Sequence, residues 1–263
     1  MSKSLNAAND RLTWHNATLI VRRHFLVLKK TWMNSFVWMI AEPLFNLTAI
    51  GFGLGAFVAR IADRPFIEFF FPGLICSSVM MAAYFESSYG TYTKWTYSKV
   101  FRSVLYAPVS AKDVLFAELM FSTIKASCSA IGIVIVASLF GLVDSWRIFL
   151  AFSVFLTLAW AFSAFGLLVC SFARNYDSFI YSTSGVIVPF ALISGVYYPI
   201  GSMPLGFQIL AYLFPLSHGV ALAKDILWNQ ITDVSALHAA ALLGLTAILH
   251  FWAVRRMTKA LQR

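Results

Sequence analysis

Residues 148–172 read IFLAFSVFLTLAWAFSAFGLLVCSF, 25 residues without one Asp, Glu, Lys or Arg, with Arg147 and Arg174 standing just outside. A helix rises 1.5 Å per residue and a bilayer's hydrocarbon core is about 30 Å thick, so about 20 apolar residues cross it. The stretch is long enough to span and too apolar for the surface of a water-soluble domain. Further apolar runs lie on either side of it, at Trp32–Val58, Phe69–Tyr89, Val114–Phe140, Phe179–Tyr197 and Ala236–Val254. None has the short polar/apolar alternation of an outer-membrane barrel strand. The whole chain is 60% hydrophobic and 12% charged, more apolar surface than one soluble core hides. The fold class expected is all-α, a polytopic membrane protein with six transmembrane helices.

Met1–Asp10 is polar and the first apolar run starts only near Thr31, unlike a cleavable secretion signal, so the first span is expected to persist in the mature protein. Residues 1–30 form a separate N-terminal segment, and 31–263 a single membrane domain. Within the segment, Trp14, Ala17, Val21, Phe25 and Leu28 recur at helical spacing opposite Arg11, His15, Thr18, Arg22 and Lys29. This predicts an amphipathic interfacial helix over Arg11–Lys30, the other reading being a basic flank of the first span. Lys and Arg are held cytoplasmic during insertion. With six spans, fifteen of them fall on the side of the termini and only Arg60, Arg64, Arg147 and Lys224 on the other, so both termini are expected in the cytoplasm.

Tyr198–His218 is apolar, yet Pro199, Pro204 and Pro215 with Gly201 and Gly206 would repeatedly break a spanning helix. A re-entrant hairpin is expected there: two short helices dipping into the outer leaflet, with Ile200, Met203, Phe207, Leu210 and Phe214 on one stripe. A second irregular segment lies between the second and third spans. Tyr97, Val100, Phe101, Val104 and Leu105 follow a helical period across 94–107, Lys94, Ser98, Lys99, Arg102 and Ser103 fill the other face, and Pro108 stops the helix. Its apolar stripe is wide for an isolated loop and suits either a soluble partner or an anionic lipid surface.

Cys76, Cys128 and Cys170 lie in apolar runs without a Cys-x-x-Cys pair and are expected to be small buried hydrophobes. No Gly-Lys dipeptide exists to end a phosphate-binding loop, and neither His-Glu-x-x-His nor Gly-x-Ser-x-Gly occurs. An ATP site, if one serves this chain, must come from a partner. Gly51-x-Gly53-x-Gly55 has no preceding strand and is expected to permit close helix packing. Charges inside spans are costly and face protein or water. Glu42, Glu86, Glu118 and Lys125 are therefore candidates for a hydrophilic path, or for buried structural pairs. Glu118 and Lys125 share one helix face seven residues apart, too far for a direct pair but able to point into the same interior. Tyr84, Phe85, Tyr89 and Tyr92 gather at the end of the second span; Tyr84 and Tyr89 join the candidate path as sugar-stacking rings, against the simpler reading of an interfacial aromatic belt.

Taken in order, Glu42-Pro43, Gly51-Phe52-Gly53-Leu54-Gly55, Phe71-Pro72-Gly73-Leu74, Phe85-Glu86, Tyr89-Gly90, Ala107-Pro108-Val109-Ser110, Glu118 and Pro215-Leu216-Ser217-His218 resemble the type-2 ABC exporter permeases. Within that family the likeness is to permeases that export nodulation factors and related lipo-oligosaccharides. The resemblance implies a bacterial inner-membrane transport subunit, not itself an enzyme, that forms a homodimer or heterodimer on two cytoplasmic ATPase subunits. Those subunits bind the ATP and Mg; no cofactor belongs to this chain, and no nucleic acid is a partner. It also implies that the helix carrying Tyr97, Lys99, Val100, Phe101, Arg102 and Leu105 seats in an ATPase cleft, and that the helices before the last span form an outer vestibule. Unlike relatives with an added C-terminal domain that could bind a sugar end group, this sequence is expected to carry none after Arg263. A drug or simple-lipid exporter shares the motor, and a membrane-embedded transferase or an ATP-independent channel are alternatives of other classes.

Overall fold

The computed structural model describes residues 12–58, 60, 61, 63–143 and 146–261, and within them all side chains except those of 31, 32, 34–40, 42 and 43. Helix α1 (Trp14–Asn46) runs on through a wide π-helical stretch, Leu47–Gly53, to a tight last turn at Leu54–Ala56. A two-stranded hairpin, β1 (Arg60–Ile61) with β2 (Arg64–Pro65), leads into α2 (Phe66–Tyr97). Then come a short α3 (Val100–Leu105), the long α4 (Ala111–Leu139) and α5 (Arg147–Cys170), and α6 (Asp177–Ile193). Two helices, α7 (Leu205–Tyr212) and α8 (Pro215–Leu227), precede the last, α9 (Asp233–Leu261).

Among the described residues, α2, α4, α5 and α9 are long and apolar enough to cross a membrane, and α7 with α8 make a fifth if that pair, bent by 89°, counts as one. The bend follows from Pro215, which opens α8 where its missing N–H costs nothing. The second helix of the pair extends to Leu227, past the expected end at His218. The expected stripe is split: Phe214 is buried, while Phe207 and Leu210 are exposed. Helix α6 stays shorter than about 20 residues. At the N-terminus one helix runs unbroken through the expected junction near Lys30. Its inner face is Ala17, Ile20, Val21 and His24, whereas Trp14 and Phe25, expected on the same stripe, lie exposed and pack edge-on against Phe116 and Phe121 of α4. Arg11 lies outside the described residues.

Helix α5 is the hub, packing on α2, α4, α8 and α9, while α1 lies on α4. Small residues set the closest approaches. A Cβ on Gly73 of α2 would stand 2.9 Å from Val196 Cα, and one on Gly166 of α5 would stand 2.8 Å from the Tyr84 carbonyl. The glycines expected to pack closely do not: a Cβ on Gly53 meets nothing within 4 Å, and those on Gly51 and Gly55 make ordinary contacts. Cys76 and Cys170 are buried as expected, but Cys128 is exposed on α4.

The apolar interior divides in two. One cluster gathers Phe70, Ile75, Met80, Phe155, Phe162 and Val220; the other gathers Val21, Leu115, Leu119, Leu167, Phe179 and Met257. Between them in the sequence of α2, α4 and α5 run the buried polar residues Ser87, Ser88, Thr91, Ser122, Thr123 and Ser163, with Glu118 and Ser127 at the margins of the clusters. Near the second cluster, Thr13 N donates to Asp113 Oδ1 at 2.5 Å, and Arg256 and Lys259 line one cavity with Lys99 and Arg102, so both described chain ends lie at the same end of the bundle.

Candidate functional site

Helix α4 begins with a reciprocal cap: Asp113 N donates to Ser110 Oγ and Ser110 N donates to Asp113 Oδ2, each at 3.0 Å. The same carboxylate holds Thr13 N and, at 3.3 Å, Asn16 Nδ2, clamping the start of α1 onto that of α4. The clamp brings His24, about three turns along α1, against Glu118 on α4. On α2, Glu86, Gly90 and Lys94 recur every four residues and so share a face. Gly90 makes room there, since a Cβ on it would lie 3.0 Å from Glu86 Oε1.

Five ionisable side chains from three helices meet on this scaffold. His24 Nε2 lies 3.0 Å from Glu118 Oε1, and Lys94 Nζ donates to Glu118 Oε2 at 2.5 Å. Lys94 Nζ also stands 3.7 Å from Glu86 Oε1, and Lys125 Nζ donates to Glu86 Oε2 at 2.6 Å. Thr91 Oγ1 adds a bond to Glu118 at 3.4 Å. Two carboxylates against two ammonium groups leave the cluster balanced, the condition under which charges survive inside an apolar bundle. Burial is uneven: the Glu118 side chain is 2% exposed, whereas those of Glu86, Lys94 and Lys125 are 16 to 21% exposed. One end of the relay is sealed and the other reaches accessible surface.

The structure brings Glu86, Glu118 and Lys125 together through Lys94. The Glu42 side chain lies outside the described residues. Tyr84 and Tyr89 turn elsewhere. The fully buried Tyr84 bonds through its hydroxyl to Ser182, and the Tyr89 ring lies 4.7 Å from Phe179 and 6.1 Å from Tyr176, fastening α2 to the start of α6. Sequence reasoning missed His24, a lone histidine three residues past the buried Val21, and assigned Lys94 to the wrong helix. The four-residue recurrence of Glu86, Gly90 and Lys94 was the legible signal for the latter.

The loop helix is shorter than the expected 94–107. Helix α2 runs to Tyr97, Lys99 turns the chain in the left-handed region at φ 49°, and α3 spans only Val100–Leu105. Phe101, expected on the outward stripe, is 2% exposed and packs with Tyr92, Leu167 and Met257. Val100 and Leu105 are half-buried, and the outward surface is formed by Tyr97, Lys99, Arg102 and Tyr106. Six residues make too short a helix to bury its own apolar side, so Phe101 finds cover in the bundle. Among the described residues no three His, Cys, Asp or Glu side chains form a metal-binding group. Within the relay Lys94 Nζ has both carboxylates in reach, Glu118 at 2.5 Å and Glu86 at 3.7 Å.

Comparison with known proteins supplies the remaining observation. Residues 15–228 match the family described as ABC-2 type transporter. The chain is 30% identical over 239 residues to nodulation protein J of Bradyrhizobium diazoefficiens, covering 91% of each chain. It is 31% identical over 228 residues to nodulation protein J of Rhizobium leguminosarum bv. trifolii, covering 86% of this chain and 87% of that one. It is also 28% identical over 213 residues to the inner membrane transport permease YadH of Escherichia coli, covering 75% of this chain and 81% of that one.

Proposed function

The chain belongs to the ABC-2 type transporter family, and on that premise we propose that it is the permease subunit of an ATP-driven exporter, moving a lipo-oligosaccharide or related amphiphilic saccharide out of the cytoplasm across the inner membrane. The family and the nodulation-protein relatives support the class of transport and cargo. The observation that carries a transport role for the bundle itself is the Glu118–Lys94–Glu86–Lys125 relay, sealed at one end and reaching accessible surface at the other. A polar head group or sugar hydroxyls drawn against Glu86 and Lys125 replace one ion-pair partner by another, so the charges are never left bare as the path opens.

Two separate ATPase subunits supply hydrolysis and bind the ATP and Mg, and a second permease copy completes the complex. Both termini are cytoplasmic, following the distribution of Lys and Arg. The exposed rim of Tyr97, Arg102 and Tyr106 seats on the ATPase, with Arg102 directed to an acidic edge.

The test is ATP-dependent uptake of a lipo-oligosaccharide into inverted vesicles holding the permease and its ATPase. Arg102→Glu is expected to weaken co-purification of the ATPase and lower coupled hydrolysis while the permease stays folded. Lys125→Met is expected to lower uptake with assembly intact. Uptake of lipids or drugs but of no saccharide replaces the cargo assignment, and undiminished co-purification of Arg102→Glu removes the docking assignment.

A further inference from the structure

A cavity of about 680 Å³ opens at the end of the bundle that carries both described chain termini, between α2, α3, α5 and α9. Its charged lining is Lys99, Arg102, Arg256 and Lys259, with no Asp or Glu among the lining residues. No ion pair is formed by these four cations among the described residues; Arg256 lies 4.5 Å over the ring of Phe172. Four like charges around one space repel one another unless an anion occupies it. Two shallower grooves, lined by Phe251 and Trp252 in one and by His250 and Val254 in the other, adjoin it through Lys259. Phe251 and Trp252 are 57% and 63% exposed, on the helix whose spanning window is only 22% buried. Basic groups thus ring a recess directly above an apolar strip on the outermost helix, the layout that takes a charged head group and its acyl chains together.

We propose that this recess binds an anionic phospholipid of the cytoplasmic leaflet, its phosphate held by Lys99, Arg256 and Lys259 and its chains lying along Phe251 and Trp252. The occupant is chosen by charge complementarity and by continuity with the apolar strip, which a soluble anion would leave uncovered. The site is separate from the buried relay and from the cargo. It ties the loop helix to the last span, so lipid composition bears on how the loop helix is held.

The experiment is a native mass-spectrometric titration of the delipidated, detergent-solubilised permease with phosphatidylglycerol and, separately, phosphatidylcholine. Phosphatidylglycerol is expected to bind in preference. The double variant Arg256→Gln/Lys259→Gln is expected to bind it about thirtyfold more weakly, and Lys259→Gln alone about fivefold, on the scale of one basic residue facing an anionic leaflet. Arg22→Gln, an equal charge loss on exposed α1, is expected to leave binding unchanged. A double variant that fails to fold shifts the decision to Lys259→Gln. Equal binding of phosphatidylcholine, undiminished binding by Lys259→Gln, or displacement by inorganic phosphate at matched concentration each overturns the proposal. So does stoichiometric displacement of the lipid by the ATPase subunit, which assigns the recess to an acidic protein surface.

Discussion

Glu118 accepts from Lys94 at 2.5 Å and is nearly fully buried, whereas Lys125 and Glu86, paired at 2.6 Å, are 21 and 16% exposed. Glu118 is the nearly fully buried partner shared by His24 and Lys94, and its removal leaves Lys94 only Glu86 at 3.7 Å, so Glu118→Ala is expected to cost about 3 to 5 kcal/mol. Lys125→Met leaves Glu86 within 3.7 Å of Lys94 and is expected to cost less than Glu118→Ala. Thermal melting of the purified variants in detergent reads the difference; equal losses would show that the relay is uniformly structural. A second contrast concerns glycines. Gly73→Ala drives a methyl onto the Val196 backbone, which cannot swing aside as a side chain does, and is expected to cost about 1 to 3 kcal/mol. Gly53→Ala meets open space and is expected to be neutral or slightly stabilising. An unchanged melting temperature for Gly73→Ala would contradict the close approach at Val196, and a lowered one for Gly53→Ala the open space there.

At the scale of elements, α3 is a helix of six residues whose stability is lent by what it covers. Phe101 is its anchor in the bundle, so Phe101→Ala is expected to destabilise the permease by about 3 to 5 kcal/mol, read as lost monodispersity and a lower melting temperature. Arg102→Glu on the opposite face is expected to spare both. The reverse ranking would return Phe101 to an outward docking stripe. The α1–α4 clamp gives a second element-scale prediction. Asp113→Ala removes the acceptor of Ser110 N and of Thr13 N while the Ser110 Oγ cap on the Asp113 backbone remains, and is expected to cost about 1 to 3 kcal/mol. Hydrogen exchange at the Thr13 amide should accelerate while that of mid-α5 amides stays slow, and unchanged exchange at Thr13 would break the clamp.

For the whole molecule, the gathering of Thr13, Asp113, Lys99, Arg102 and Lys259 at one end, together with the charge distribution, predicts the result of reporter fusions. Fusions after Asn175 and after the last residue should report cytoplasm, and fusions within Pro199–Gly206 the outer side. A cytoplasmic signal from Pro199–Gly206 would require α7 and α8 to cross rather than re-enter.

The apolar runs of 148–172 and its neighbours were enough by themselves to determine an α-helical membrane protein, because only a backbone that satisfies its own hydrogen bonds survives in hydrocarbon and only helices need about 20 residues to cross. The missing Gly-Lys dipeptide likewise needed no coordinates to exclude a Walker-type phosphate loop from these residues. Glu86, Glu118 and Lys125 were legible as candidates for the same reason, that a charge in such a run demands a partner. Which partner was a matter for the tertiary structure: His24 reaches Glu118 across 94 positions of chain, a pairing that no local periodicity encodes. The orientation of α3 was decided the same way, since an amphipathic stripe states that one face is to be covered but not by what. Here the bundle covers Phe101 and leaves Arg102 outside, because a helix of six residues docks against whichever apolar surface the left-handed turn at Lys99 aims it toward.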